Sequence, residues 1–486
     1  MLKSIHFKNF FSFRDCKVSL RDLNALIGIN GTGKSNFIKA LKILKATVNE
    51  GAMADLIINQ WGGFNSVFFA GQQPNNEIDI DVHRALNKHY KLRNVAKELD
   101  ISVSTIVETL RNIGVHIDNN PNTTINLQQY EVLINAHASK STESKEKKKR
   151  IVPLFKESVF GKTDNEIELE FEFDETVLSN YGYSFTEPVY YYISFKKVGS
   201  AQNFSINECF HTNGKDGMWG YLYMSMKNGQ GTAREGLSKW QKSVKYELTD
   251  GTETLLSHLV DRDRYFQIYT LREAIKDIAV YGYFDTTAQS PIRKPMLPSG
   301  ISRLLPNGGN LPQILNWIKV NSKNHDFKNI ISSLQSINPQ YDGLDYYIMG
   351  NNIELNLEEK KLETPIHVTH ISDGTLRYLC LLSIVHNSQR GALVCIDEPE
   401  IGLHPDMIMD IVEAIKQASK KTQFVIATHS EHILNNLSVE NVLVCEKADN
   451  NETIINTFRD KDYIEWASQY STGKLWRDGD LGGNRY

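Results

Sequence analysis

The stretch ALIGINGTGKSNF, residues 25–37, carries the first arrangement able to do chemistry. Gly28, Gly33, Lys34 and Ser35 fit the spacing G-x-x-x-x-G-K-[ST], with a further glycine at Gly31. Glycines let the backbone turn tightly, so that successive N–H groups point at a phosphate. The lysine adds a cation beside the β- and γ-phosphates, and the hydroxyl reaches Mg2+. A helix beginning near Ser35 adds its positive dipole end to the same anion. Asn30, Gly31, Gly33, Lys34, Ser35 and Asn36 are therefore the candidate contacts for ATP, with Ser35 also a candidate Mg2+ ligand.

Three further signals lie far downstream. GALVCIDEPEIGLHP, residues 391–405, is a short apolar run ending in Asp397 and Glu398. A carboxylate at the tip of a buried strand holds Mg2+, and the carboxylate after it polarises the water that attacks a γ-phosphate. TQFVIATHS, residues 422–430, ends another apolar run in His429, placed to bond the γ-phosphate or the attacking water. HISDGTLRYLCLLSIV, residues 370–385, opens a helical pattern with Ser372, Asp373 and Gly374, a second anion site at a helix start. Taken singly, each has a plainer reading: a strand-end cap, a loop histidine, an N-cap. Their order, each closing or opening the right element, favours the joint one.

The elements that must position these residues are short buried strands and a helix, within a chain of 486 residues, long enough for two or three domains. Hydrophobic content of 41% describes an ordinary globular protein, and the net charge of −4 gives no global basic field for nucleic acid. Five scattered cysteines point to a reducing compartment and away from a disulfide framework or a zinc site. MLKSIHFKNFFSF reads as a first strand and not as a signal peptide. No apolar run approaches the ~20 residues that span a bilayer, so a cytoplasmic protein without membrane contact is expected. Residues 159–283 alternate as strands do, in EIELEFEFD and PVYYYISFKKV. Residues 253–280 and 310–338 have short helical patterns, and no heptad repeat is sustained.

The set resembles the ABC-type ATPase head of the RecF, Rad50, SMC and OLD group, in which a long insertion splits the nucleotide domain. The resemblance implies that Ser372 to Gly374 is a signature motif contacting the γ-phosphate of ATP on a second protomer. It implies Asp397 as the Mg2+ residue, Glu398 as catalytic base and His429 as switch histidine. EIGLHP, residues 400–405, occupies the D-loop position, where His404 replaces the aspartate of many ABC proteins. No motif places the Q-loop glutamine; Gln60 is the available candidate. WGGFNSVFFAG (61–71), NGGNLPQIL (307–315) and GKLWRDGDLGG (473–483) are similar to stretches of the OLD-like AAA_21 class of predicted bacterial ATPases. That likeness covers the first ~85 residues and most of the chain after ~160. In the closing stretch, Trp476 and Leu481 are expected to dock. No clustered carboxylates of a Toprim nuclease and no H-N-H pattern occur, and the segment after His429 reads as too short for a fused nuclease.

Residues 90–137 followed by ASKSTESKEKKKR (138–150) interrupt the strand pattern. VAKELDISVSTIVETLRNIG has helix-turn-helix spacing, with Ser102 or Ser104 available to cap the second helix. The stretch resembles the small N-terminal module of bacterial translation initiation factor two. It is read either as a contact to nucleic acid or ribosome, through Lys145, Lys147, Lys148, Lys149 and Arg150, or as a solvated insertion.

The expectation is an α/β protein: a split ABC-type P-loop ATPase head with a β-rich lobe, a helical subdomain, a small helical insertion and no long coiled coil. Its divisions are 1–88 (Walker A half), 89–150 (inserted module), 151–290 (β-rich lobe), 291–365 (helical connector) and 366–486 (signature, Walker B, switch histidine). The implied function is an Mg2+-dependent ATPase switch that forms homodimers over ATP. It is expected to control an effector, a nuclease or toxin encoded nearby, in anti-phage defence. A RecF-like ATPase that clamps DNA directly is the alternative, and a nucleotide-binding scaffold without turnover is disfavoured by Glu398.

Overall fold

Apolar runs that sequence patterning marks as buried become adjacent strands of one sheet. The computed structural model describes residues 1–69, 71, 90–92, 95–96, 102–112, 115, 117–118, 120, 123–125, 133, 166–199, 202–213, 220–236, 242–321 and 325–483. The chain opens with β1 (Leu2–Phe10), β2 (Phe13–Ser19) and β3 (Leu23–Ile27), then α1 (Lys34–Ala46). Within 89–150 a ribbon of β4 (Tyr90–Lys91) and β5 (Thr124–Ile125) flanks α2 (Val103–Asn112). Strands β6 (Glu166–Phe173), β7 (Val189–Lys197), β8 (Phe204–Thr212), β9 (Leu222–Lys227), β10 (Gln230–Glu235) and β11 (Lys242–Glu247) follow. Next come α3 (Phe266–Lys276), β12 (Ile278–Tyr281), α4 (Leu311–Asn321) and α5 (His325–Ile337). A small sheet holds β13 (Tyr341–Met349), β14 (Asn352–Glu359) and β15 (Ile366–His367). The last part runs α6 (Asp373–Val385), β16 (Leu393–Asp397), α7 (Pro405–Ser419), β17 (Gln423–Ala427), β18 (Val442–Lys447), β19 (Thr453–Thr457), α8 (Lys461–Ala467) and α9 (Thr472–Arg477).

The sheet that positions the site has the order β12-β16-β17-β3-β18-β19, parallel except for the β18–β19 pair. Its central strands are mainly apolar because both faces are covered. Alternation along each strand divides the core in two. Leu26, Cys395, Val425 and Cys445 face α1 and the larger sheet, whereas Ile27, Ile396, Ile426 and Val444 face α6 and α7. The larger sheet is antiparallel, in the order β11-β10-β9-β8-β7-β6-β1-β2.

Three placements differ from the sequence expectation. Strand β12, expected within the β-rich lobe, pairs in parallel with β16 from Ile278↔Leu393 to Tyr281↔Ile396 and is the edge of the nucleotide sheet. Four apolar residues are too few for periodicity to separate a strand from the helical pattern of 253–280. Strands β1 and β2, expected within the Walker A half, close the antiparallel sheet through β1–β6 pairing. The 291–365 stretch, expected to be helical, also holds β13 and β14. The expected helical patterns otherwise appear as α3, α4 and α5. The longest described helix, α7, has 15 residues, and no long coiled coil is present among the described residues.

In the inserted module, Ser102 Oγ accepts the Thr105 N–H at 3.1 Å, so Ser102 caps α2. Val95, Ile106, Leu110 and Leu133 pack in a small cluster of their own. The basic run Lys145 to Arg150 lies outside the described residues. At the other end Leu481 is fully buried, Trp476 packs on the core, and the Gly483 N–H reaches Glu446 at 2.8 Å. All five cysteines are free thiols. No described helix is long and apolar enough to cross a membrane.

A buried polar knot ties the far end of α1 to the antiparallel sheet. Glu208 on β8 accepts the Tyr191 hydroxyl at 2.7 Å and the Leu255 N–H. Thr254 donates to the Thr47 carbonyl at 2.6 Å, and Arg272 donates to the Val48 carbonyl at 3.0 Å. Burial pushes the Glu208 carboxyl up from 4.5 to about 7. The folded protein therefore keeps a proton that the unfolded chain releases between those values. This contribution to stability is complete below pH 4.5 and is lost as pH rises through about 7. Glu208→Gln, which cannot ionise, is expected to flatten the fall of unfolding temperature across that window. Parallel curves for the two proteins would show that the knot does not titrate.

Candidate active site

The P-loop is shaped by three left-handed glycines, Gly28 (φ 144°), Gly31 (φ 84°) and Gly33 (φ 113°). Two of them have no room for a side chain. A Cβ at Gly28 would sit 2.3 Å from the Cys445 carbonyl oxygen, and one at Gly33 would sit 2.5 Å from Thr453 Oγ1. The Thr453 hydroxyl donates to the Thr32 carbonyl at 2.7 Å and lies 2.7 Å from the Ser12 hydroxyl. The end of β3 is thus clamped between β18, β19 and the β1–β2 turn before α1 begins at Lys34.

Lys34 is 6% exposed, and its ammonium donates to the Gly28 and Ile29 carbonyls at 2.8 and 3.2 Å. Burial holds its pKa below the ordinary lysine value, against the raising effect of Cys445, Glu398, Asp397 and Glu400. Asn30, Gly31 and Ser35 are exposed at the loop. Asn36 donates to Ser12 Oγ at 2.9 Å and accepts from Lys39 at 3.3 Å.

Because β16, β17 and β3 are parallel neighbours, their C-terminal ends meet: Asp397 pairs with Ala427, and Ala427 with Leu26. Ligands of open parallel sheets bind at such an edge. Asp397 closes β16, and burial raises its pKa while Lys42 and Lys34 oppose. Glu398 is left-handed at φ 51°, a conformation costing about 1–2 kcal/mol in a residue with a Cβ. Its N–H bonds the Ala427 carbonyl at 2.8 Å, which fixes the turn. The Glu398 carboxyl lies 3.2 Å from His429 Nε2, and burial together with Glu400 raises its pKa to about 8. Burial, then Lys34, lowers the His429 pKa, so the imidazole is neutral at pH 7.

Lys34, Asp397, Glu398 and His429 are therefore brought to one edge. Ser372 and Gly374 are not. Ser372 caps α6, its Oγ accepting the Thr375 N–H at 3.1 Å. A Cβ at Gly374 would lie 3.0 Å from the Gly402 carbonyl oxygen, in the turn after Glu398. Among the described residues no hydrogen bond joins Ser372 or Gly374 to Lys34, Asp397 or Glu398. His404 caps α7 by accepting the Asp406 N–H at 3.3 Å. Gln60 is exposed and donates to Asp55 at 2.9 Å, so the structure gives it no tie to the site.

Glu400 escaped the sequence reading as a site residue. One of its oxygens accepts the Thr428 hydroxyl at 2.6 Å and the His429 N–H at 2.8 Å. The other is buried with no hydrogen-bond partner. The signal available was the E-P-E spacing, which puts a second carboxylate two residues after Glu398. The donors offered to a metal are the Asp397 carboxylate and the Ser35 hydroxyl. No group of three or more His, Cys, Asp or Glu suited to a metal occurs among the described residues. Two hard oxygens, completed by phosphates and water, fit Mg2+ and do not fit zinc.

Residues 247–435 match the family model described as "AAA domain, putative AbiEii toxin, Type IV TA system". The matched stretch carries Ser372, Gly374, Asp397, Glu398 and His429. No curated protein sequence matches the chain. Solved structures similar to the chain include the SmcHead bound to the C-winged helix domain of ScpA, at 10% identity and TM-score 0.47, covering 94% of this chain and 98% of that one. The SMC head domain from Thermotoga maritima is similar at 13% identity and TM-score 0.39, covering 94% and 99%. The Smc head domain with an extended coiled coil bound to the C-terminal domain of ScpA, derived from Pyrococcus furiosus, is similar at 10% identity and TM-score 0.47, covering 96% and 98%. The matched family stretch does not reach 89–150, where the likeness to the translation-factor module lies.

The Glu400 carboxylate joins the end of β17 to the turn after β16. Glu400→Ala is expected to speed amide exchange at Thr428 to Ser430, and Glu400→Gln, which keeps an acceptor, is expected to retain protection. Wild-type exchange in Glu400→Ala would show that the turn holds without the carboxylate.

Proposed function

We propose that this chain is an Mg2+-dependent ATPase that dimerises head to tail over two ATP molecules and switches a partner protein. The observation that carries this reading is the division of the site. Lys34, Asp397, Glu398 and His429 share one edge of one sheet, while Ser372 and Gly374 open a separate helix beside the Gly402 turn. A second protomer that presents its α6 start to the first protomer's P-loop completes the set.

On this reading Lys34 exchanges the Gly28 and Ile29 carbonyls for phosphate oxygens, with the loop N–H groups and the start of α1 sharing the charge. Asn30, Gly31 and Gly33 line the cradle. Ser35 and Asp397 would hold Mg2+, which when bound neutralises charge on the transferring phosphoryl group. In its ionised form, which fills as pH rises toward about 8, Glu398 takes the proton of the attacking water, and its contact with His429 lets the imidazole orient that water or the γ-phosphate. Ser372 and Gly374 of the second protomer donate to the γ-phosphate from a helix N-terminus. The family description names a toxin and a Type IV TA system, which supports a role in bacterial defence with a nuclease or toxin as effector. Recognition is assigned to residues 89–150, through contact with nucleic acid or ribosome, because the phosphate, metal and water-activating residues all lie elsewhere. A net charge of −4 favours this switch over a chain that clamps DNA along its own surface.

Lys34→Ala is expected to lose ATP binding. Glu398→Gln is expected to keep it while turnover falls by about 10²–10⁴-fold, the range for a lost general base. Equilibrium binding of ATP and steady-state phosphate release separate the two. Normal turnover by Glu398→Gln would remove the base assignment, and absence of turnover in the wild type would remove the ATPase reading. Replacing residues 89–150 by a short Gly-Ser turn is expected to leave basal turnover within about twofold and to abolish salt-sensitive nucleic-acid binding. Loss of turnover in that folded variant would place the insertion in the catalytic machinery.

A further inference from the structure

The turn that opens α6 is built around one buried arginine from another part of the chain. Arg293 ends a single 3₁₀ turn, Pro291–Arg293, whose start is capped by Ser290. Its side chain is 8% exposed. Nε donates to the Thr286 carbonyl at 2.7 Å. Nη1 is shared by the carbonyls of Val368 at 2.8 Å, Thr369 at 3.2 Å and Ile371 at 2.9 Å. Nη2 donates to Asp373 Oδ1 at 2.6 Å. Four carbonyls and one carboxylate thus converge on one guanidinium. Three of the carbonyls come from the stretch immediately before Ser372.

This arrangement has two physical consequences. Carbonyls drawn inward to a buried cation fix the path of residues 368–371, and with it the extended conformation of Ser372 (φ −62°, ψ 150°) that lets its hydroxyl cap α6. The first-turn N–H groups not used by that cap stay available for an anion. The second consequence is electrostatic. Asp373 puts a negative charge in the turn proposed to meet a triphosphate, a repulsion that the ion pair with Arg293 offsets.

We infer that Arg293 is the positioning residue of the Ser372–Gly374 turn and therefore acts on the ATP held by the other protomer, not on the ATP bound to its own P-loop. The inference rests on the head-to-tail dimer proposed above. It predicts that damage at Arg293 is complemented in trans, as damage to the turn itself would be, and that the cis nucleotide site is spared.

The test uses full-length chains. Arg293→Lys is expected to bind a non-hydrolysable ATP analogue within about twofold of wild type while kcat falls at least about tenfold. Mixing it with Lys34→Ala, which has an intact α6 turn but no phosphate lysine, is expected to restore turnover, as is mixing Ser372→Arg with Lys34→Ala. Recovery in the Ser372→Arg mixture but not in the Arg293→Lys mixture would overturn the role of Arg293 alone. Recovery in neither, with subunit exchange verified, would overturn the head-to-tail dimer and this inference with it. If Arg293→Lys does not fold, Arg293→Gln replaces it, because its amide still donates to carbonyl oxygens but reaches fewer of those that Arg293 gathers. Arg293→Gln is expected to lower kcat at least about tenfold with analogue binding unchanged and to recover on mixing with Lys34→Ala; unchanged kcat would overturn the inference.

Discussion

The pairing of β3 with β17 joins residues four hundred positions apart, and every other feature of the site depends on it. Phe424↔Leu23 through Ala427↔Leu26 set the register, and Asn24 fastens it by donating to the Phe424 carbonyl at 3.1 Å. Side chains in a strand alternate, so a slip of one residue would exchange the two cores and carry Asp397 and His429 away from Lys34. The apolar residues on both faces make such a slip costly. Leu26 and Val425 pack toward α1, while Ile27, Phe424 and Ile426 pack toward α6 and α7. Catalytic geometry is here a by-product of strand register.

Charge explains what register alone does not. A buried ammonium, a half-buried aspartate and two half-buried glutamates sit together, and no member is at ease by itself. Burial depresses Lys34 and raises Asp397 and Glu398. The loop carbonyls of Gly28 and Ile29 satisfy Lys34. Glu398 is held in a left-handed backbone beside a neutral His429, and one oxygen of Glu400 has no partner. Strain and unsatisfied polarity of this kind cluster where a ligand completes a site. The framework around them is conventional by contrast, with hydrogen-bonded strands and apolar faces.

Much of this was legible in the sequence because it is local. The P-loop spacing, the apolar run ending in Asp397 and Glu398, and the run ending in His429 each carry their chemistry within a dozen residues. The cap at Ser102 and the docking residue Leu481 were legible for the same reason. What escaped was non-local. Strand β12 is a four-residue run whose identity comes only from its neighbour β16. Glu400 looked like the opening residue of a D-loop, and its tie to Thr428 and His429 exists only once β16 and β17 are side by side. Arg293 sits in a proline-rich connection with no periodic pattern, and its carbonyl partners lie some 75 residues downstream. The expected helical connector missed β13 and β14: β13 carries Asp342, Gly343 and Asp345 among its apolar residues, and β14 alternates only Ile353, Leu355 and Leu357 with polar residues.

The central claim is that one chain supplies the phosphate loop, metal residue and base for an ATP whose γ-phosphate is capped by a second chain. The most direct measurement is a structure of the Glu398→Gln protein with ATP and Mg2+. The account predicts two protomers, each γ-phosphate lying between Lys34 of one and the Ser372–Gly374 turn of the other. ATP bound at Lys34 in a single protomer, with no Ser372–Gly374 turn in hydrogen-bond reach of its γ-phosphate, would contradict it.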